Sequence, residues 1–155
     1  MNSYLTFKIG EETFGVNVTK IMEIREYQKP NPIPEALKFV SGVIEYQNEV
    51  IPLIDTGVKF GLQPVTIETG TCIIIMQLIS DTLGKSYRIG VLADSVADVL
   101  EYDDNKMKSI TDEYSPKYIQ STIKHDDSLI YILNADKVFN QKEIISILNS
   151  VKKGK

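Results

Sequence analysis

The chain's only histidine, His125, lies in KHDDS next to Asp126 and Asp127. An imidazole beside a carboxylate is the least machinery that moves a proton near neutral pH. A small-molecule-binding or catalytic β-barrel using His125 and Asp126 is therefore one reading of the protein. The opposite reading is a solvated turn, because aspartate tolerates the dihedral angles of tight loops. A second acidic pair, Asp103-Asp104 in EYDDNK, has no companion pair at a spacing that would hold Mg²⁺ or Zn²⁺. Neither a metal nor a cofactor is expected. The single cysteine, Cys72, adjoins Ile73-Ile74-Ile75-Met76, the setting of a small buried thiol in a strand, and without a second cysteine no internal disulfide forms. The glycine-rich phosphate loops, the G-x-S-x-G elbow and the H-E-x-x-H zinc motif are all absent from the sequence. The chain reads as a non-enzyme that works through its surfaces.

Bulk properties narrow the partners. With 155 residues, 43% hydrophobic and 25% charged, the chain can bury one sizeable core or two small ones joined together. Its formal charge is -4, and its lysines are scattered except for Lys152, Lys153 and Lys155, so no basic stripe awaits nucleic acid. The start, MNSYLTFKIGEE, lacks a basic segment followed by an apolar run, and no long apolar stretch follows. A cytoplasmic protein without direct membrane insertion is expected.

The elements that must carry any site come from a duplicated pattern. Alternation from Tyr4 to Ile9, a turn at Gly10-Glu11-Glu12 and the run Thr13 to Asn17 predict a β-hairpin; CIIIMQLIS and SYRIGVLAD around Asp81 to Lys85 predict a second. FGVNVTKIMEI (Phe14 to Ile24) matches IGVLADSVADV (Ile89 to Val99) without a gap, pairing Gly15 with Gly90, Ile21 with Val96, Glu23 with Asp98 and Ile24 with Val99. FVSGVIEYQNEVIPLIDTGVKF (Phe39 to Phe60) matches YIQSTIKHDDSLIYILNADKVF (Tyr118 to Phe139) in the same way. This is an internal repeat of about five strands per half, and short twisted sheets of that size close into barrels. KPNPIPE reads as an extended connection, Gly61 to Gly70 as a linker, and a short helix is expected near Glu35 to Phe39. Asn140 caps a C-terminal helix, residues 140–152, with Ile144, Ile147, Leu148 and Val151 in one stripe.

FGVNVTKIMEIREY, IPEALKFVSGVIEYQNEVIPLIDTGVKFGL and RIGVLADSVADVLEY resemble the sequence blocks of the CheW-like chemotaxis coupling family, from Tyr4 to Phe139. The resemblance implies a mainly β fold of two five-stranded SH3-like β-barrels packed together, with short helices and the C-terminal helix. It implies one CheW-like domain over residues 1–155, with subdomains at 13–66 and 71–139 that exchange strands at their ends. For function it implies a non-catalytic adaptor that couples the cytoplasmic tips of chemoreceptors to the regulatory domain of a CheA-type histidine kinase, recruited to membrane-associated arrays. By the same resemblance, Ile21, Glu23, Gln47, Val96 and Val99 belong to the receptor-binding surface, and Gly42, Glu45, Tyr46, Asn48 and Glu49 to the kinase-binding one.

This chain departs from the family at the tip between Tyr46 and Glu49. The family usually writes N-L-R-G there, and here Glu45-Tyr46-Gln47-Asn48 stands instead. Asparagine tolerates the left-handed turn, but glutamine replaces a charged fork with a neutral amide, and Glu45 and Glu49 flank it. The tip is expected to have changed electrostatic sign. Ser121 and Asn134 also replace the usual Gly and Asp of the second half. A divergent auxiliary scaffold that binds the kinase regulatory domain but no receptor is the alternative within the same class.

Overall fold

Apolar alternation builds the strands, and the repeat decides how they pair. The computed structural model describes residues 1–109 and 116–153, and these described residues form eleven strands and two α-helices. The first half supplies β1 (Asn2–Ile9), β2 (Glu12–Asn17), β3 (Ile21–Glu26), β4 (Val40–Tyr46) and β5 (Glu49–Ile54), followed by a four-residue helix α1 (Thr56–Lys59). The second half supplies β6 (Cys72–Ser80), β7 (Lys85–Ala93), β8 (Ser95–Tyr102), the two-residue β9 (Lys108–Ser109), β10 (Ile119–His125) and β11 (Ser128–Leu133), then α2 (Gln141–Lys153).

The hydrogen-bonded sheets do not follow the halves. One runs β3-β6-β7-β5-β4 and the other β8-β1-β2-β11-β10-β9, so each half lends its leading hairpin to the sheet of the other. Asp94 alone carries the chain from β7 to β8, and Val18 to Lys20 carry it from β2 to β3. Equivalent residues make equivalent pairs. Gly90 faces Leu53 across the parallel β5–β7 pair, and Gly15 faces Ile132 across the parallel β11–β2 pair. A Cβ on Gly90 would lie 3.0 Å from Ile73 and one on Gly15 2.8 Å from Ile132, so both positions exploit the close approach that only glycine allows. The segments 13–66 and 71–139 are thus stretches of sequence, whereas the paired units mix strands of both.

Each sheet curls until its ends approach. Asn31, beyond β3, exchanges two 2.9 Å backbone hydrogen bonds with Val43 of β4, and β9, beyond β8, pairs with β10 at Ser121 and Thr122. Because Val43 and Thr122 are repeat partners, the two barrels close in the same way, which leaves little open edge. The fold is mainly β: two small SH3-like barrels, here called the first (β3-β6-β7-β5-β4) and the second, with few helices.

The main core fills the first barrel and the seam between the barrels, taking in Leu5, Phe7, Ile9, Phe14 and Val16 from the facing side of β1 and β2. Tyr4, Ile123, Ile130 and Ile132 form the smaller interior of the second barrel. β1 therefore has one face in each core. The helix expected near Glu35 to Phe39 does not form: the segment is turns, and Glu35 sits at φ 60°, outside the helical region, behind prolines that lack backbone donors. A helix appears instead at Thr56, where the Asp55 carboxylate accepts from the Val58 N–H at 3.2 Å. At α2, Asn140 and Glu143 bond reciprocally at 2.8 and 2.9 Å, and Ile144 and Ile147 are buried.

Candidate protein-interaction surfaces

The tip that joins β4 to β5 is a two-residue hairpin turn. Tyr46 pairs with Glu49, and Gln47 and Asn48 both take positive φ, 49° and 62°, as a type I′ turn requires. Below the tip the Tyr46 ring is buried, with the Arg25 guanidinium 5.4 Å from its centroid and that of Arg88 6.0 Å from it. Arg25 donates to the Glu45 carbonyl at 3.1 Å and lies 3.7 Å from the Glu23 carboxylate. Arg88 reaches Glu49 at 3.3 Å and donates to the Gln77 side chain at 3.3 Å. The carboxylate excess expected at this tip is narrowed to one. Two cations from β3 and β7 stand at the same barrel end, balancing much of the charge of Glu23, Glu45 and Glu49.

Gly42 contributes through its backbone. It occupies a bulge in β4 at φ 148°, and a Cβ there would fall 2.2 Å from the Asn31 carbonyl oxygen that closes the barrel. Tyr46 is likewise a core residue that positions the arginines. The solvent-facing groups of this end are Glu45, Gln47, Asn48, Glu49 and the partly exposed guanidiniums.

The second candidate surface lies on β3 and β8, the two strands that the repeat makes equivalent. Ile21 and Val96 are half-buried and pack against the main core, so they support the surface without forming it. Their neighbours point outward: Met22 is 42% exposed, Ile24 44% and Val99 58%, with Ala97 also exposed. Glu23 is exposed beside Arg25. Large aliphatic side chains left uncovered together are uncommon on a free domain and mark contact surfaces. Met22, Ile24 and Ala97 lie outside the predicted set, because a bulge in each strand breaks the alternation there and returns Ile24 to the face of Ile21 and Val99 to the face of Val96. Arg25 and Arg88 also lie outside it, because nothing local ties either to Tyr46.

His125 and Asp126 occupy the equivalent tip of the second barrel. The side chains are 48% and 90% exposed, their nearest atoms are 3.4 Å apart, and Asp126 and Asp127 take the positive φ values of a turn, 47° and 64°. The pair is a wet hairpin tip with nothing to exclude water or hold a substrate. Asp104 also has a structural task, accepting from the Tyr4 hydroxyl at 2.7 Å and from the Asn2 amide. Burial, together with that hydrogen bond, pushes the Tyr4 hydroxyl up to about 12. Burial, helped by Asp94, raises the Cys72 thiol, whose Sγ lies 3.9 Å from the Ala93 carbonyl. Among the described residues, no three His, Cys, Asp or Glu side chains converge as a metal site, and no helix is long and apolar enough to cross a membrane.

Comparison with known proteins agrees with this architecture. A family model described as the CheW-like domain matches residues 3–143. The chemotaxis protein CheW of Treponema pallidum is 26% identical over 148 residues, covering 94% of this chain and 86% of that protein. CheW of Thermotoga maritima is 27% identical over 143 residues, covering 88% and 87%. The crystal structure of the scaffolding protein TtCheW from Thermoanaerobacter tengcongensis superposes with a TM-score of 0.77 at 24% identity, covering 92% of this chain and 90% of that one.

Proposed function

The chain belongs to the CheW-like family, which is one of chemotaxis scaffolds and not of enzymes, and from that premise we propose that it couples chemoreceptors to a CheA-type histidine kinase. In this reading the exposed face of β3 and β8 takes the helical tip of a receptor. The end of the first barrel, around Glu45, Asn48 and Glu49, takes the kinase regulatory domain, and Gln47, expected on the receptor surface, is reassigned to this end because it shares the turn with Asn48. Gly42 and Tyr46 hold that end in shape, and Ile21 and Val96 hold the receptor face. The protein acts in the cytoplasm beside receptor arrays and carries no phosphoryl chemistry of its own.

The observation that carries the reading is the pair of uncovered aliphatic strips at equivalent places on two barrels. Burial of such side chains drives helix-in-groove association at about 25 cal/mol per Å², before the costs of association. Binding of the full chain to a receptor-tip fragment and to a kinase regulatory domain tests it. Ile24→Glu should weaken receptor binding by tenfold or more, about 1.4 kcal/mol, and leave kinase binding and the fold intact. Ile21→Glu is a poor probe of the same surface, since it buries a charge against the core and costs about 2–4 kcal/mol of stability. A protein that binds the kinase domain but no receptor fragment is the auxiliary scaffold. One that binds neither ends the proposal.

A further inference from the structure

On β3, past a bulge at Met22, Ile24 and Glu26 share one face, and on β8, past a bulge near Ala97, Val99 and Glu101 share one face, all four of them exposed. The same order, an exposed aliphatic residue and then a glutamate two positions on, occurs twice at repeat-equivalent places beside exposed Met22 and Ala97. The two strands together carry four carboxylates, Glu23, Glu26, Asp98 and Glu101, against one cation, Arg25, and that cation is engaged with Glu23, the Glu45 carbonyl and the Tyr46 ring. Among the described residues neither Glu26 nor Glu101 has a side-chain hydrogen bond or an ion pair. Both are exposed at the end of an apolar strip.

We propose, resting on the receptor-binding reading of this face, that the strips select a partner helix whose apolar stripe is bordered by lysine or arginine, with Glu26 and Glu101 as the specificity-determining residues. Two physical effects support this. A carboxylate at the rim of an apolar contact attracts a cation on the incoming helix and repels an anion, which steers association and discriminates between partners more than it adds affinity. Rim charges are also screened by salt, so the preference carries its own signature. The aliphatic residues supply binding, and the glutamates choose among helices that would otherwise bind alike. The competing account makes Glu26 and Glu101 edge-strand charges that prevent sheet-to-sheet aggregation. That account leaves the choice of partner unaffected.

The test uses two chemoreceptor-tip fragments identical except beside the apolar stripe, where one carries lysines and the other glutamates. Titration calorimetry with the full chain should show the lysine fragment preferred by about tenfold or more at low salt, the gap closing at high salt. Glu26→Gln with Glu101→Gln should remove the preference, and Glu26→Lys with Glu101→Lys should invert it. An unchanged melting temperature and unchanged binding to the kinase regulatory domain show that the variants fold. Equal binding of both fragments by the natural protein, or a lysine preference retained after charge reversal, overturns the inference and leaves receptor binding standing. Failure of both fragments to bind removes the receptor-binding reading together with it. Variants that self-associate while keeping the natural preference identify the glutamates as aggregation guards only.

Discussion

Lys59 Nζ lies 3.2 Å from the Glu143 carboxylate, joining the helix that follows the last strand of the first half to the helix that follows the last strand of the second half. Both side chains are mostly buried, at 14% and 20% exposure. Lys59 also faces the rings of Phe39, Tyr118 and Phe139 at 5.2 to 5.9 Å. Phe39 and Tyr118 are repeat partners, so this cation sits where the two halves meet. Glu143 further completes the α2 cap with Asn140.

Glu143→Ala therefore removes a cap and leaves a partly buried ammonium without its carboxylate, with an expected loss of about 2–3 kcal/mol. Glu143→Gln can keep the cap geometry and should lose about 1 kcal/mol. Chemical denaturation of the two variants measures the difference. Equal losses would mean that the cap contributes nothing and that loss of the ion pair accounts for the whole effect.

Gly42 ranks as a closure residue before it ranks as a contact. Its φ of 148° and the Asn31 carbonyl oxygen, 2.2 Å from where a Cβ would stand, leave no room for alanine unless the barrel opens. Gly42→Ala should cost about 3 kcal/mol or more. Its kinase binding, corrected for the folded fraction, should match the natural protein. A residual binding defect after that correction would assign Gly42 a direct role.

The repeat was legible because gap-free matches between halves survive as register: Gly15 with Ile132 repeats Gly90 with Leu53. Which barrel receives each hairpin was not. The apolar pattern of β1 and β2 is satisfied in either barrel, and the choice rests on connections as short as Asp94 alone. The turn at this tip was readable from local chemistry, since Asn48 tolerates positive φ, whereas the positive φ of Gln47 was not. The Arg25–Tyr46–Arg88 arrangement was not, because three strands distant in sequence bring it together only after closure. The same limit hid the exposure of Met22 and Ile24: a bulge at Met22 breaks the alternation of β3, and only the assembled sheet shows that nothing covers these side chains.

Tyr4 gives a pH signature. Its hydroxyl is raised from 10.0 to about 12 by burial first and by the Asp104 hydrogen bond second. A raised folded value means that the stabilising contribution is complete below the unfolded value near 10 and is lost as pH climbs through about 12. Tyr4→Phe should flatten the decline of stability in that window. Asp104→Asn should lower the Tyr4 value only in part, because burial is the larger cause. Tyrosine absorbance during alkaline titration, with and without Tyr4, checks both, and titration of Tyr4 at its ordinary value would contradict the buried arrangement.

The two arginines flanking Tyr46 make the last test, because they separate holding the barrel end from reading a partner. Each lies near the buried ring and is only about a third exposed, so Arg25→Ala or Arg88→Ala removes packing as well as charge. Each should cost about 1 kcal/mol, and the double variant more than the sum, since Tyr46 then loses cover from two directions. Lysine at either position retains the charge but not the planar fork, and should recover part of the stability. If the guanidiniums serve only to hold Tyr46, kinase-domain binding follows the folded fraction in every variant. If they also meet a carboxylate of the kinase domain, Arg88→Lys weakens binding more than stability and reduces its salt dependence less than Arg88→Ala does.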